Sequence, residues 1–216
     1  MALLKLIIKV SEEIDDKFFS VGIFLDLSKA FDTIDHSILL DKLFTYGIRG
    51  IAYNWIKSYL SDRSQYVYVN NVSSQHLPVH CGVPQGSILG PLLVYHLHIN
   101  DIFSTISNVM EFILFADNTN LFLQDTSLSS LESRLNVELE KISTWFKVNK
   151  LSLNLNKTNY ILFTKKSKFT DNRIHVKIDN VPIRKVKQTK FLGVIINDNL
   201  SWEDHIITIK GKISKG

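Results

Sequence analysis

Cysteine is nearly missing from this 216-residue chain: Cys81 stands alone. No internal disulfide can form, and such usage suits a reducing compartment. A solitary cysteine of this kind is expected to be a small buried hydrophobe. Proline (4) and glycine (9) are scarce, and no low-complexity linker or internal repeat occurs. No apolar run approaches the roughly 20 residues that cross a bilayer. Met1–Val10 has the hydrophobicity of a signal peptide, but Lys5 and Lys9 interrupt it one helical turn apart and no small-residue cleavage site follows. Without a secretory signal, the glycosylation tripeptides at Asn71, Asn156 and Asn199 carry no meaning, and the expectation is a soluble, intracellular chain of cytoplasm or nucleus. Charge of one sign is also sparse. Lys and Arg number 25 against 21 Asp and Glu, a net +4 too mild to demand a nucleic-acid partner by itself.

What is present is enough to build a core. Hydrophobic residues make up 45% and charged residues 21%, which excludes wholesale disorder and fits one domain, or one domain with an incomplete neighbour. Leu3, Leu6, Ile7, Val10 and Ile14 share one helical face, so a helix is expected from about Ala2 to Asp16. Phe18–Leu27 is an apolar run of strand length with Asp26 at its far end. Helical patterning covers Ile38–Tyr46 and Ile51–Leu60, separated by Gly47 and Gly50. Gln65–Asn70 alternates with period two, Asn70-Asn71 can turn, and Ser74–His80 can return. Gly82-Val83-Pro84-Gln85-Gly86 reads as a rigid loop before an apolar helix over Ser87–Ile102.

Phe112–Phe115 and Leu121–Leu123 are short strands whose connection, Ala116 to Asn120, forms an acidic and polar hairpin tip. Ser129–Lys147 is amphipathic, with Leu131, Leu135, Leu139, Ile142 and Phe146 on one face. Strands follow at Tyr160–Phe163, Ile174–Ile178 and Phe191–Ile196. The irregular interleaving favours an α+β fold, with a largely antiparallel sheet flanked by helices, over a doubly wound one.

Two aspartates draw the chemistry together. Should the strand ending at Asp26 and the hairpin carrying Asp117 be neighbours, their carboxylates meet at one sheet edge. Paired carboxylates hold Mg²⁺, and two such ions assist phosphoryl transfer. Either aspartate alone is more often a turn residue or a helix cap. Asp32, Asp35 and His36 lie close to Asp26 in sequence, so composition also leaves a metal phosphohydrolase open.

Three segments then speak together. Phe24-Leu25-Asp26-Leu27-Ser28-Lys29-Ala30-Phe31-Asp32, Gly82-Val83-Pro84-Gln85-Gly86-Ser87 and Phe115-Ala116-Asp117-Asn118 closely resemble successive motifs of reverse transcriptases of the non-LTR (LINE-type) retrotransposons. Lys150–Asn154 leading to Lys157-Thr158 resembles the next motif, and Phe191-Leu192-Gly193-Val194 with Leu200-Ser201-Trp202 the one after. The resemblance covers essentially the whole chain. It implies an RNA-directed DNA polymerase acting on an RNA template, a DNA primer and deoxynucleoside triphosphates, with two Mg²⁺ ions (Mn²⁺ as the alternative).

Residue by residue, Asp26 and Asp117 fall on the metal-binding aspartates, and the carbonyl of Leu27 faces a metal. Phe31 falls where a bulky ring excludes a ribose 2′-hydroxyl; on its own it reads as a core aromatic. Gln85 and Gly86 fall in the loop that contacts the incoming nucleotide. Lys157 matches a lysine that protonates the departing pyrophosphate, although a strand-end lysine exposed to water fits equally. Phe191, Leu192 and Gly193 match the hairpin that grips the primer.

This chain departs from the pattern twice. The family's hairpin reads Ala-Asp-Asp, whereas Asn118 occupies the last place here. A neutral amide is a weaker ligand for Mg²⁺, and losing one such stabiliser is expected to cost on the order of 10²–10³ in rate. The second departure is length. Residues 1–216 are expected to comprise the palm, part of the fingers and the start of the thumb, without the N-terminal fingers and most of the thumb. An exposed apolar surface is expected where the thumb docks. The alternative to an impaired enzyme is an inactive nucleic-acid-binding remnant. Supporting contact with nucleic acid, Lys165, Lys166, Lys168, Arg173, Lys177, Arg184, Lys185, Lys187 and Lys190 form a basic stretch opposed only by Asp171 and Asp179.

Overall fold

The computed structural model describes residues 2–29, 31–84, 86–107, 110–115, 118–164 and 174–214. The chain forms two compact units. One comprises Met1–Asp26, Thr105–Thr144 and Leu153–Gly216; the other comprises Leu27–Ser104 and Trp145–Ser152.

The first unit is built on a five-stranded sheet. Strand β1 (Phe19–Asp26) lies at its centre, between β7 (Asn118–Asp125) and β8 (Asn159–Phe163). Strand β6 (Glu111–Phe115) forms one edge and β11 (Arg184–Lys185) the other. Every pairing is antiparallel except β11 with β8. A strand covered on both faces reads as a continuous apolar run, as β1 does: its residues are buried from Phe19 to Leu25 and only Asp26 is partly open.

Helix α1 (Ala2–Asp15) sets Leu6, Val10 and Ile14 into one cluster with Phe24, Phe122 and Phe163 of the sheet. Gly22 makes that packing possible. A Cβ there would lie 2.7 Å from the Phe122 ring and 3.2 Å from the Phe163 ring. On the same strand face Ser20 donates a hydrogen bond to Glu13 of α1, and burial raises the Glu13 carboxyl above its ordinary pKa. Helix α5 (Leu128–Val148) buries Leu131, Leu135, Leu139 and Ile142, the stripe that its periodicity predicts. Short pairs β9 (Lys177–Ile178) with β10 (Val181–Pro182), and β12 (Gln188–Phe191) with β13 (Val194–Asn197), complete the unit with helix α6 (Glu203–Ile213). Helix α6 buries none of its residues, leaving Ile207 and Ile213 exposed.

The second unit carries α2 (His36–Thr45), α3 (Gly50–Leu60) and a narrow ribbon of β2 (Ser64–Gln65) with β5 (Leu77–Pro78) and β3 (Tyr68–Val69) with β4 (Val72–Ser73). Asn70 and Asn71, both at positive φ, turn the ribbon as expected. The amine of Lys42 donates to the His98 carbonyl at 2.6 Å and to Asp101 at 2.7 Å, with the Trp145 ring 4.7 Å away. His98 itself is fully buried beside this cation, and burial first, then the Lys42 charge, depress its imidazole to about 4.

Several expectations change here. The apolar helix over Ser87–Ile102 is instead a short α4 (Leu89–Leu92), a π-helical stretch over Leu93–His98 and a 3₁₀ turn over Asn100–Thr105. With apolar residues at most positions from Leu89 to Ile99, periodicity gives little sign of where a helix widens or tightens. Asn118, Thr119 and Asn120, expected at a hairpin tip, belong to β7; Asn120 is buried, and its amide donates to the Ile113 carbonyl across the pair. Only Lys177–Ile178 of the expected strand Ile174–Ile178 is paired. Phe191–Ile196 is a hairpin rather than one strand, because Leu192 and Gly193 both take positive φ. Cys81 is exposed, not buried: it sits at the end of a single bridge to Asp35.

Two stability tests follow from these contacts. Replacing Gly22 by Val is expected to lower unfolding free energy by about 1–3 kcal/mol, because β1 cannot move away from two packed rings; urea denaturation measures it. His98 generates a pH dependence. Its folded pKa lies below the unfolded value of 6.5, so the unfolded chain takes the proton first. Stability is therefore full above pH 6.5 and lost as pH falls toward 4, by about 3 kcal/mol at most. The urea midpoint of the parent should fall over that window, and that of His98→Leu should fall less.

Candidate active site

In the first unit the sheet sets one end of β1 against one end of β7. Asp26 lies directly across from Asn118, with Leu25 across from Thr119. Asn118 is also the partner of Phe115 on β6, so the terminal residues of three strands meet at one end of the sheet. Asp117, next to Asn118 in sequence, lies outside the described residues, as does Gln85.

The backbone of Asp26 is held at both ends by the segment after α5. Its N–H donates to the hydroxyl of buried Thr158 at 3.3 Å, and its carbonyl accepts from the Asn154 N–H at 2.8 Å. The half-buried carboxyl is thereby aimed by backbone geometry. The same segment presents Lys157, whose N–H bonds Asn154 while its side chain is exposed. Asp26 and Lys157 are thus attached to one piece of local structure. Neither Thr158 nor Asn154 carries a sequence signal for this role, because a hydroxyl at the start of the neighbouring strand has no signature in spacing.

The residue present suits a hard cation in kind: a partly exposed carboxylate at the end of a central strand, across from Asn118. Among the described residues no three His, Cys, Asp or Glu side chains converge as a metal site. Of the residues close to Asp26 in sequence, Asp35 accepts from Lys150 and His36 donates to the Gly82 carbonyl.

Phe191 is buried, with its ring 6.0 Å from that of Phe24 in an edge-on arrangement. Leu192 (φ 48°) and Gly193 (φ 85°) form the two-residue turn of the β12–β13 hairpin. Positive φ at both positions matches the twist of the flanking strands. The aromatic anchors the hairpin and leaves its turn at the surface.

In the second unit the loop after Cys81 is tied to the segment that carries Phe31. The Val83 N–H donates to the Phe31 carbonyl and the Gly82 N–H to the Ile34 carbonyl, each at 2.7 Å. The His36 Nε2–H donates to the Gly82 carbonyl at 2.6 Å. Gly82 takes φ +81°, and a Cβ on it would lie 2.8–2.9 Å from the backbone of Asp32. Beyond the loop, the Ser87 hydroxyl donates to the Pro84 carbonyl and accepts from the Tyr59 hydroxyl, both at 2.7 Å. Phe31 is half-buried, Leu27 is buried and Gly86 is exposed. A cleft of about 750 Å³ opens beside the loop, lined by Asp32, Arg63, His80, Cys81, Gly82 and Val83 among others.

Asp35 caps α2 by accepting from the Ser37 and Ile38 N–H groups. Lys150 donates to it at 2.6 Å, and with Ser37 holds its carboxyl well below the usual carboxylate range. The roles of His36, Gly82 and Lys150 in this tie were missed from sequence; a glycine and a histidine at that spacing give no pairing signal.

Of the basic stretch, Lys177, Arg184, Lys185, Lys187 and Lys190 are exposed, while Lys165, Lys166, Lys168 and Arg173 lie outside the described residues. Asp179, one of its two opposing acids, accepts from Ser143 at 2.7 Å. Among the described residues no helix is long and apolar enough to cross a membrane.

Residues 12–196 match the family model described as reverse transcriptase (RNA-dependent DNA polymerase). The chain is 29% identical over 208 residues to the RNA-directed DNA polymerase from mobile element jockey of Drosophila melanogaster, covering 92% of this chain and 22% of that protein. It is 27% identical over 202 residues to the probable RNA-directed DNA polymerase from transposon X-element of the same fly, with coverage of 92% and 22%. The chain thus spans about a fifth of the length of these curated relatives. Among solved structures, telomerase from Candida tropicalis in complex with a telomeric RNA fragment aligns with TM-score 0.60 at 10% identity, covering 94% of this chain and 33% of that one. Candida albicans telomerase gives 0.57 at 15% identity, with coverage of 91% and 34%. At such identities the likeness is one of fold.

Gly82→Ala tests how far the loop depends on its backbone. The new methyl meets fixed backbone and the residue is left at positive φ, so the variant is expected to lose about 1–3 kcal/mol. Amide exchange at Val83 should rise, and a variant as stable as the parent with Val83 still protected would contradict this account.

Proposed function

Because the chain belongs to the reverse transcriptase (RNA-dependent DNA polymerase) family, related to the enzymes of non-LTR retrotransposons, we propose that it is the part of such an enzyme that extends a DNA primer along an RNA template. The observation that carries this reading is the strand register that puts Asp26 across from Asn118, beside Asp117. In the proposed organisation the first unit supplies the palm and α6 begins a thumb, while the second unit supplies part of the fingers.

Asp26 and Asp117, with the Leu27 carbonyl, would hold Mg²⁺. When bound as a pair, the ions favour the deprotonated primer oxygen and offset charge on the leaving group. The primer 3′-hydroxyl gives its proton to water and its oxygen bonds to the α-phosphorus, the bond from the α-phosphorus to the bridging oxygen breaks, and pyrophosphate departs. The exposed amine of Lys157 gives that pyrophosphate a proton. Phe31 stands against a 2′-hydroxyl and so favours deoxynucleotides, with Gln85 and Gly86 lying against the nucleotide. The Phe191–Gly193 hairpin steadies the primer end, and the basic stretch from Lys165 to Lys190 takes backbone phosphates.

Asn118 makes this copy slower, since a neutral amide replaces a carboxylate at the metal edge. A second reading, a remnant that binds template and primer without chemistry, is favoured by the same residue. Primer extension on an RNA template with Mg²⁺ and deoxynucleotides separates the two. Asn118→Asp is expected to extend the primer about 10²–10³ times faster than the parent, with Asp26→Ala in that background inactive. Equal rates for parent and Asn118→Asp would remove the impairment. Extension by neither, with retained salt-sensitive binding, would leave the remnant.

A further inference from the structure

We propose that Asp35, His36 and Lys150 form a latch that positions Phe31 against the Gly82–Val83 segment and so sets how strictly ribonucleotides are refused; this rests on the polymerase reading above. The latch has two sides. On one, the His36 ring holds the Gly82 carbonyl at 2.6 Å, while Gly82 and Val83 donate to the backbone of Ile34 and Phe31. On the other, Lys150 reaches Asp35, one residue before His36, from 115 positions along the chain.

Stability alone accounts poorly for the Lys150 arm. Lys150 ends α5 in a Schellman arrangement: its N–H donates to the Lys147 carbonyl and that of Leu151 to the Phe146 carbonyl. The position takes φ 55°, where glycine is the favoured residue and a side chain costs about 1 kcal/mol. The Lys150 side chain is 64% exposed, and an ion pair so open to solvent contributes only about 0–1 kcal/mol. The two effects roughly cancel. What the lysine adds is a fixed Asp35, and with it a fixed start to α2 and a fixed His36 ring. The loop facing Phe31 is thus clamped from a helix end that takes no part in the sheet.

His36 and Lys150 touch no reacting atom, so they are positioning residues. A steric barrier against one hydroxyl depends on where the ring stands, and loosening the clamp gives a ribonucleotide room. Lys150→Met and His36→Leu are therefore expected to lower the ratio of deoxy- to ribonucleotide incorporation about tenfold, chiefly through a lower KM for the ribonucleotide. His36→Gln, which keeps a donor near the Nε2 position, should stay close to the parent.

The measurement uses the full chain carrying Asn118→Asp, with single deoxy- and ribonucleoside triphosphates on an RNA template, and amide exchange at Gly82 and Val83 alongside. Faster exchange together with the lower ratio supports the latch. Unchanged exchange overturns it. Faster exchange with an unchanged ratio, or equal loss of kcat for both nucleotides, reduces it to a structural tie and overturns the selective role. Should the Asn118→Asp chain itself incorporate neither nucleotide, the polymerase reading fails and the selective role goes with it, a result distinct from an active parent whose variants keep its ratio.

Discussion

Strand β1 is hydrogen-bonded along both edges and covered on both faces, and the rest of the first unit is arranged to satisfy that position. A central strand has no room for polar side chains except where a partner waits, so Ser20 requires Glu13 of α1. It also has no room for bulk where aromatic rings close over it, so residue 22 is glycine. Only at Asp26 does burial relax. The acidic residue therefore stands at the one place on β1 that is not fully buried. The same constraint fixes its direction, because Thr158 and Asn154 hold the backbone on either side of the side chain.

Backbone conformations that side chains rarely adopt occur at Gly82, Leu192 and Lys150. Gly82 at φ +81° lets its loop lie on the Asp32 backbone with no atom between them. Leu192 at φ 48° closes a hairpin whose aromatic anchor, Phe191, is in the core. Lys150 at φ 55° occupies a helix-ending slot normally left to glycine. Each is retained against a local cost, and each is held by contacts that a relaxed conformation would forfeit.

How much of this was legible in sequence depended on whether a pattern has a period. The apolar stripe of α5, from Leu131 to Ile142, and the unbroken run of β1 are repeats that burial imposes directly, and both are observed. The α+β class and the Asn70-Asn71 turn followed from equally local signals. Thr119 and Asn120 were misplaced at a tip because polar residues inside a strand look like loop until their cross-strand partners are known. The π-helical stretch over Leu93–His98 was hidden for a different reason, since a change in helical pitch over six residues leaves no distinct spacing in the sequence. At the site, the pairing of Asp26 with the hairpin was posed as a condition on strand adjacency, and β1 with β7 meets it. The ties from Thr158 and His36 had no sequence signal, because they join residues 132 and 46 positions apart.

The position of Asn118 in β7 is specified by backbone pairing with Asp26 and with Phe115, interactions that do not consult the side chain. An aspartate or an asparagine extends the same ladder, and the two are nearly the same size. Backbone pairing therefore places no demand on the side chain at this position, whereas the chemistry proposed for that end of the sheet is sensitive to a single charge. Gly22 shows the reverse: no reactive role, yet no freedom to vary, because two rings occupy the space beside it. A fold match, however complete, consequently speaks to the residues that pack rather than to those that react.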